Sequence, residues 1–501
     1  MKRDSTLFIE SSNGNLYIID LIKKEIFPCH KLIKCIYDLD IDRKGNNEYL
    51  YKQVKLVSKE SKESEIKYSI NKYLSLRNNG FFSSKIDSII AQYSANTIQN
   101  QLENVDIVVF EVTEKCNLNC TYCINGTMYN PKRKIEHELS PASAHAFMEF
   151  LISTWSKSKK HTKCTKQVGF YGGEPLMNMP LIKDIVELCE ANRSQTMLFE
   201  YRMTTNATLL DRYMEYLVLH KFNLTISLDG DKKGQSYRAY ANGRNSFEKA
   251  YKNLKDMMNT YPDYWEKHIT FNSVLHNRNT ASSIHSFIYN EFGKVPEIHP
   301  LNNSGIMPNK KSLFEKMFRY YENEEDKHVD QIVESRFMSD PRIISLSQFL
   351  MWYNSNHFYN FRSILCNEQS QRKMLDTGTC LPFSRKIYLS AKNKIYPCER
   401  VNDIYYMGEV DINNKVILDT SEIARKYNEK LMLLSKQCNT CYFINGCPQC
   451  MFQLDGMKYS RPICYMHKSK QQMEKYLQHF IDLMESRHIS YNRLLKEGAL
   501  K

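Results

Sequence analysis

The sequence predicts an α/β protein: a partial (β/α)6 barrel of the TIM type, with a winged-helix module ahead of it and a Cys-rich domain behind. Three observations carry this reading. Between Val105 and Pro300, six apolar, β-branched runs alternate with amphipathic helical segments. The first run leads straight into three closely spaced cysteines, Cys116, Cys120 and Cys123, and eight more fall between Cys366 and Cys464. Residues 1–85 show small strands and helices without the barrel's alternation.

Taken in order, residues 5–40 read as strand, turn, strand and helix. LFIE and LYIID flank the Asn-Gly turn of SSNGN, and HKLIKCIYDL has helical apolar spacing. LYKQVKLV reads as another strand, Lys-rich SKESKESEIK as a solvated face, and NNGFF as the closing turn of the 1–85 module. Such a module binds DNA, or takes a peptide as an added strand on its sheet edge, and the residues alone favour neither. Residues 86–104 form a helical linker.

In the barrel, residues 105–300, strands are predicted at 107–112, 167–171, 198–204, 223–228, 269–275 and 296–300. Helices are predicted near 141–155, 180–192, 209–220, 246–259 and 281–290. Strict alternation with buried strands argues for a parallel sheet, and six strands fit an open barrel better than a closed eight-fold one. The ligand site of such a fold lies at the carboxyl ends of the strands. Residues 301–365 are helix-rich and aromatic, a bridging region packed at the barrel mouth. A Cys-rich domain at 366–475 opens with the strand pair KIYLSAKNKIYPC, and 476–501 is a C-terminal helix and tail.

At 501 residues the chain is long enough for several domains and a large core. The formal net charge of +13 points to an acidic partner without separating nucleic acid from acidic peptide or anionic cofactor. No apolar run is long enough to span a bilayer and the N-terminus lacks a signal-type apolar core, so a cytoplasmic, membrane-free protein is expected. In a reducing compartment, 15 cysteines point to metal or redox chemistry rather than disulfides. The isolated Cys29, Cys35, Cys164 and Cys189 read as small buried hydrophobes.

Cys116, Cys120 and Cys123 stand in C-x3-C-x2-C spacing, with no fourth cysteine before Cys164. Three thiolates this close can hold three corners of a [4Fe–4S] cube and leave one iron open for a ligand. From the triplet alone, a zinc site or unrelated thiols are the alternatives.

The motifs that follow resemble the radical S-adenosylmethionine (SAM) superfamily. CNLNCTYC matches its cluster loop, and YGGEPL after the second strand, with Gly172, Gly173, Glu174 and Pro175, is similar to its SAM-methionine motif. MTTNATLL resembles the next strand end with Ala207 in place of the usual Gly, ISLDG supplies Ser227 and Asp229, and SYRAYANGR supplies Arg238. The resemblance implies that these residues, with Tyr122 flanking the adenine, hold SAM on the open iron. Arg238 would contact its carboxylate or ribose.

The C-terminal cysteines resemble the SPASM domain, which carries two auxiliary [4Fe–4S] clusters. By that resemblance Cys366, Cys380, Cys398 and Cys450 would ligate the first, and Cys438, Cys441, Cys447 and Cys464 the second. Two departures stand out: Asn393 where the family has Gly, and x2 rather than x3 between Cys447 and Cys450.

The resemblance implies a radical SAM peptide maturase, whose N-terminal module binds the leader of a ribosomally made precursor peptide and whose barrel modifies, typically cross-links, the core. It also implies a low-potential electron donor such as flavodoxin or ferredoxin; no nucleic-acid partner is expected. An anaerobic sulfatase maturase making formylglycine is a rival, disfavoured by the first ~100 residues, which those enzymes lack. An iron–sulfur regulator binding DNA or peptide is the rival of another class, disfavoured by the intact SAM motifs. Asp455 in QLDG is a candidate catalytic acid, set against an ordinary turn aspartate.

Overall fold

The computed structural model describes residues 5–21, 25–82, 92–129, 136–157, 164–303, 305–319, 346, 349, 378–444, 447 and 449–486. Contacts divide the chain into two compact units, one of residues 1–92, 343–379 and 428–501, the other of 93–342 and 380–427.

The first unit opens with an antiparallel sheet of β1 (Thr6–Glu10), β2 (Leu16–Asp20) and β3 (Glu25–Pro28), in that order. Three helices follow, α1 (Lys31–Leu39), α2 (Asn47–Val57) and α3 (Glu63–Asn78). Ile18, Leu32, Ile36, Leu50, Val54, Ile70 and Tyr73 form one core. The Tyr73 hydroxyl and Arg77 guanidinium both donate to buried Asp40, each at 2.8 Å. LYKQVKLV, expected as a strand, lies in helix α2. Asn46 caps that helix by accepting from Tyr49 N, Lys52 pairs with Glu48, and Leu50 and Val54 are buried four residues apart. The helical period therefore outweighs the local β-branched composition. The short β3, ending at Pro28, was not foreseen.

In the second unit α4 (Ala95–Glu103) leads into β4 (Ile107–Thr113). There follow α5 (Pro141–Ser156), β5 (Cys164–Gly172), α6 (Met179–Ala191), β6 (Met197–Thr205), α7 (Met214–Leu219) and β7 (Asn223–Ser227). Then come α8 (Phe247–Thr260), α9 (Pro262–His268), β8 (Ile269–Leu275), α10 (Ala281–Phe292), β9 (Glu297–Pro300) and α11 (Lys311–Met317). Strands β4 to β9 lie side by side in sequence order, each parallel to the next. Along β4, Val108, Phe110 and Val112 are fully buried, and Phe110 meets Phe147 of α5 edge-on. The helices therefore cover that face, and the alternate positions point to the barrel interior. Of the bridging region, Leu301, Phe314 and Met317 pack with Tyr122, Met128 and Tyr237, and most of the rest lies outside the described residues.

The sheet continues past β4. β10 (Lys386–Leu389) pairs with it in parallel, Tyr388 opposite Val109, and the antiparallel strands β11 (Lys394–Tyr396), β12 (Gly408–Val410) and β13 (Val416–Leu418) complete ten strands. The hairpin expected within a separate Cys-rich domain at 366–475 is thus part of the barrel sheet, and that segment is shared between the two units. The physical reason is the edge of β4, whose backbone groups need partners that an apolar KIYL supplies. Asn393 turns this hairpin in the left-handed conformation, φ +60°.

Two further helices follow, α12 (Thr420–Cys438) and α13 (Lys470–Ser486). Within the first unit α13 clasps the β1–β2 turn. Asp482 accepts from Ser12 N at 2.8 Å and Ser12 Oγ at 2.7 Å, and Glu485 accepts from Asn13, Asn15 and the Tyr17 hydroxyl. Among the described residues no helix is long and apolar enough to cross a membrane.

After β6, fully buried Ala207 adopts φ +64°, a conformation that penalises any side chain beyond Gly. Its NH donates to Thr205 Oγ1 and its carbonyl accepts from Asn253, which hold it there. We expect Ala207→Gly to stay within about 1 kcal/mol of the native stability. Ala207→Val should lose about 2 kcal/mol or more, from left-handed strain and overpacking together, read as a lower urea midpoint.

Candidate active site

The cluster loop leaves β4 at Thr113 and is fixed by backbone bonds on every side. Glu114 N donates to His137 O at 2.8 Å, and the Glu114 carboxylate binds the His137 ring at 2.8 Å. Beyond Cys116, Asn119 N donates to Ala239 O at 2.6 Å and Thr121 N to Tyr237 O at 3.1 Å. Asn117 exchanges side-chain bonds with Thr208 and Asn206 at the end of β6. Cys116, Cys120 and Cys123 are all partly exposed on this loop. Burial pushes the Cys120 thiol up to about 12 against the pull of Arg238, with Cys123 and Cys116 near enough to raise it further. A metal bound through this thiol would have to displace its proton.

Gly172 and Gly173 owe their identity to this loop. Gly172 has φ +144°, and a methyl added there would collide with the Thr113 carbonyl; at Gly173 it would strike the Lys115 carbonyl. Gly173 N and Glu174 N instead donate to those two carbonyls, each at 2.9 Å. Both glycines thus admit the backbone of the cluster loop. The Glu174 carboxylate is turned inward, where it accepts from Thr205 Oγ1 at 2.7 Å, Asn206 N at 2.8 Å and Leu176 N at 3.3 Å. Burial raises it to about 7 despite these donors. Pro175 starts the short turn that follows.

Asp229, just past β7, is fully buried and organises a charged centre. It accepts from Arg238 Nε at 3.0 Å and Nη2 at 3.1 Å, from Val274 N at 2.9 Å and from the Tyr122 hydroxyl. His276 Nε2 stands 3.8 Å away. Burial alone would raise this carboxyl, but Arg238 and His276 outweigh it and hold it at about 2. The Arg238 guanidinium lies over the Tyr122 ring, and the ring also meets Tyr237 and His276. The structure thus brings Tyr122, Asp229 and Arg238 into one cluster beside Cys120. Ser227 ends β7 on the interior face, in register with Asn272 of β8.

In the first unit Cys438, Cys441, Cys447 and Cys464 come together. Burial pushes Cys447 up to about 12, and the other three thiols push it further. Gln437 ties the two ends of this segment, donating to Pro462 O at 2.7 Å and accepting from Cys464 N at 3.1 Å. In the second unit Cys380 and Cys398 interact, and burial raises the Cys398 thiol. Cys450 belongs to the other unit, and Cys366 lies outside the described residues. Among the described residues no three His, Cys, Asp or Glu side chains gather as ligands of a single metal ion. Asp455 is exposed in a turn whose backbone bridges to Ile463, beside Gly456 at φ +73°. It is thus placed as a turn residue. The interior carboxyl that sequence reasoning passed over is Glu111, detectable as the one charge at an inward position of the apolar run IVVFEVT.

Residues 110–288 match the radical SAM superfamily. Residues 110–288 therefore form a radical SAM domain, and the chain that carries it is an enzyme; domains of this family use a [4Fe–4S] cluster and SAM. It is similar to the radical SAM cyclopropyl synthase TigE of Paramaledivibacter caminithermalis, 23% identical over 386 residues, 75% of this chain and 73% of the relative. A probable GTP 3′,8-cyclase of Archaeoglobus fulgidus is 33% identical over 125 residues, 24% of this chain and 36% of the cyclase. Among solved structures, native anSMEcpe with bound AdoMet superposes with a TM-score of 0.49 at 16% identity, covering 77% of this chain and 99% of that one.

Two outcomes follow from this geometry. Gly173→Ala should displace the cluster loop, and the reconstituted variant should hold far less iron than the parent at its SAM-binding site. Asp229→Asn leaves Arg238 as a buried cation without its counter-charge, at a cost of about 3–5 kcal/mol, read as a lower urea midpoint.

Proposed function

We propose that this enzyme is a peptide maturase that modifies, by cross-linking, a ribosomally synthesised precursor peptide. The observation that carries the reading is the pairing of the radical SAM barrel with an N-terminal three-stranded sheet. The edge strand β3 of that sheet has no further strand beyond it among the described residues. A leader peptide would add along β3 as a further strand, with main-chain bonds for affinity and side-chain pockets for selectivity. The likeness to TigE over 73% of its length supports chemistry on a substrate of similar kind. The net charge of +13 suits an acidic leader.

Cys116, Cys120 and Cys123 would hold the [4Fe–4S] cluster: three thiols on one rigid loop match the donor set such a cluster takes. When bound, cluster and SAM supply a 5′-deoxyadenosyl radical that removes hydrogen from the substrate. The chain's own part is placement. Gly172 and Gly173 fix the loop, and Pro175 turns the chain after it. With Glu174 engaged inward, the loop's backbone groups are left for the SAM ammonium. Ser227, Asp229 and Arg238 would hold SAM's polar groups beside Tyr122, and the aromatic cover of Tyr122, Tyr237 and Phe314 excludes water. Cys438, Cys441, Cys447 and Cys464 would ligate one auxiliary cluster. A flavodoxin or ferredoxin would donate the electron.

Anaerobically reconstituted enzyme with a low-potential reductant should convert SAM to 5′-deoxyadenosine and methionine, and Cys116→Ala should not. Coexpression with short peptides encoded beside the gene should give one peptide a discrete mass shift that the Cys116→Ala variant abolishes. Retention of every peptide mass, with SAM cleavage intact, would refute the peptide reading.

A further inference from the structure

Three neighbouring strands bring a buried carboxyl and two phenols together on the interior face of the barrel, at the strand ends where (β/α) barrels do their chemistry. Glu111 lies at an inward position of β4, two residues before the strand ends. Tyr171 of β5 is its register partner, and Tyr388 of β10 shares the face of Val109, one inward step below. Glu111 is 9% exposed and Tyr388 6%. Tyr388 donates a hydrogen bond to the Glu111 carboxylate, and Ala391 N donates to its Oε2 at 3.0 Å. Tyr171 is close enough to feel both Glu111 and Cys123, which places the group toward the cluster loop. Glu111 and Tyr388 lie outside the SAM motifs, and Tyr171 opens YGGEPL ahead of its two glycines.

We propose that Glu111 is the base that takes a proton from the substrate in this barrel, with Tyr388 as its side-chain hydrogen-bonding partner and Tyr171 beside it. The step is a proton transfer alone. The substrate's X–H bond breaks, its electron pair stays on X, and the proton joins the carboxylate to give a neutral carboxylic acid. Tyr388 then turns from donor to acceptor, so the hydrogen bond survives the change of charge. A base is most effective when it titrates near working pH. Burial raises Glu111 to about 7, and the nearby Glu114 adds to this against the Ala391 NH, Tyr388 and Lys392. The other ionisable groups around it are Tyr171 and Tyr396, with Glu399 and Arg400 beyond Tyr171. Glu114 is paired in turn with Lys392 at 3.0 Å and hydrogen-bonded with the His137 ring. Glu111 thus keeps a proton affinity that an exposed strand-end glutamate would lack.

A purely structural Glu111 would only anchor the β10–β11 hairpin through Ala391. Glu111→Gln keeps an acceptor for that NH and removes the base, so it separates the two roles. The inference rests on a substrate occupying the barrel. The probe is the peptide that acquires a mass shift in the preceding experiment, with wild-type and variant enzymes reconstituted alike. In wild type, product formed per 5′-deoxyadenosine should rise with pH through about 7, because the base must be ionised. In Glu111→Gln this ratio should fall by about 100-fold or more and lose its dependence on pH near 7, while Glu111→Asp should recover part of it. Infrared difference spectra between pH 5 and 9, taken without substrate, should show a carboxylic acid band titrating near 7 that Glu111→Gln lacks. An unchanged ratio and pH profile in Glu111→Gln, or a Glu111 band titrating near 4, overturns the proposal. Absence of SAM cleavage in wild type would instead sink the maturase reading, and the infrared result would still decide whether Glu111 is the poised group.

Discussion

The site depends above all on a seam of backbone against backbone. Gly172 to Glu174 lie so close to Thr113 to Lys115 that no side chain fits between them, and two NH groups hydrogen-bond across the gap. This seam sets where the three cysteines stand. It also fixes the ends of β4 and β5 to each other, and through Glu174 it reaches Thr205 and Asn206 at the end of β6. A buried carboxylate that accepts three hydrogen bonds is costly to misplace, because any donor left without it would be unsatisfied. Three strand ends are thereby locked into one rigid rim. A radical enzyme needs that rigidity, because a reactive centre displaced by about 1 Å loses much of its rate.

A second organising centre sits across the rim at Asp229. Its two oxygens satisfy Arg238, the Tyr122 hydroxyl and the Val274 amide, so one side chain ties the cluster loop to β7, β8 and the arginine segment. Taking such a pair out of water is expensive, and its geometry must be nearly complete before it stabilises anything. Its more evident effect is specificity: few alternative packings would satisfy all of these donors at once. The arginine that the motif pattern offers to a ligand is also a structural partner of the aspartate.

Most of this was legible in the sequence because it is periodic or local. The six barrel strands fall where the β-branched runs stand, since a strand covered by helices must be apolar along its length. The left-handed turns at Ala207 and Asn393 were visible as departures from glycine, and both residues adopt the positive φ that those departures implied. What was not legible arises from contacts between distant segments. Nothing local in KIYL says that it will lie beside IVVFEV some 280 residues earlier, so the ten-stranded sheet went unseen. For the same reason Glu111 read as an ordinary strand residue, because its environment is supplied by Tyr388 and Ala391 from that added hairpin. LYKQVKLV misled in the opposite way: its composition favours a strand, while Leu50 and Val54 sit one helical turn apart.

The clasp between α13 and the β1–β2 turn bears on how the protein is made. Asp482 and Glu485 complete a turn that was synthesised some 470 residues earlier. At typical translation rates of about 5–20 residues per second, that turn waits about half a minute or longer for its partners. Until α13 leaves the ribosome, the first sheet has an unfinished tip and an early edge exposed to other chains. The nascent chain therefore spends most of its synthesis with the earliest strands incomplete. A truncation just before α13 would leave the hairpin without these acceptors permanently.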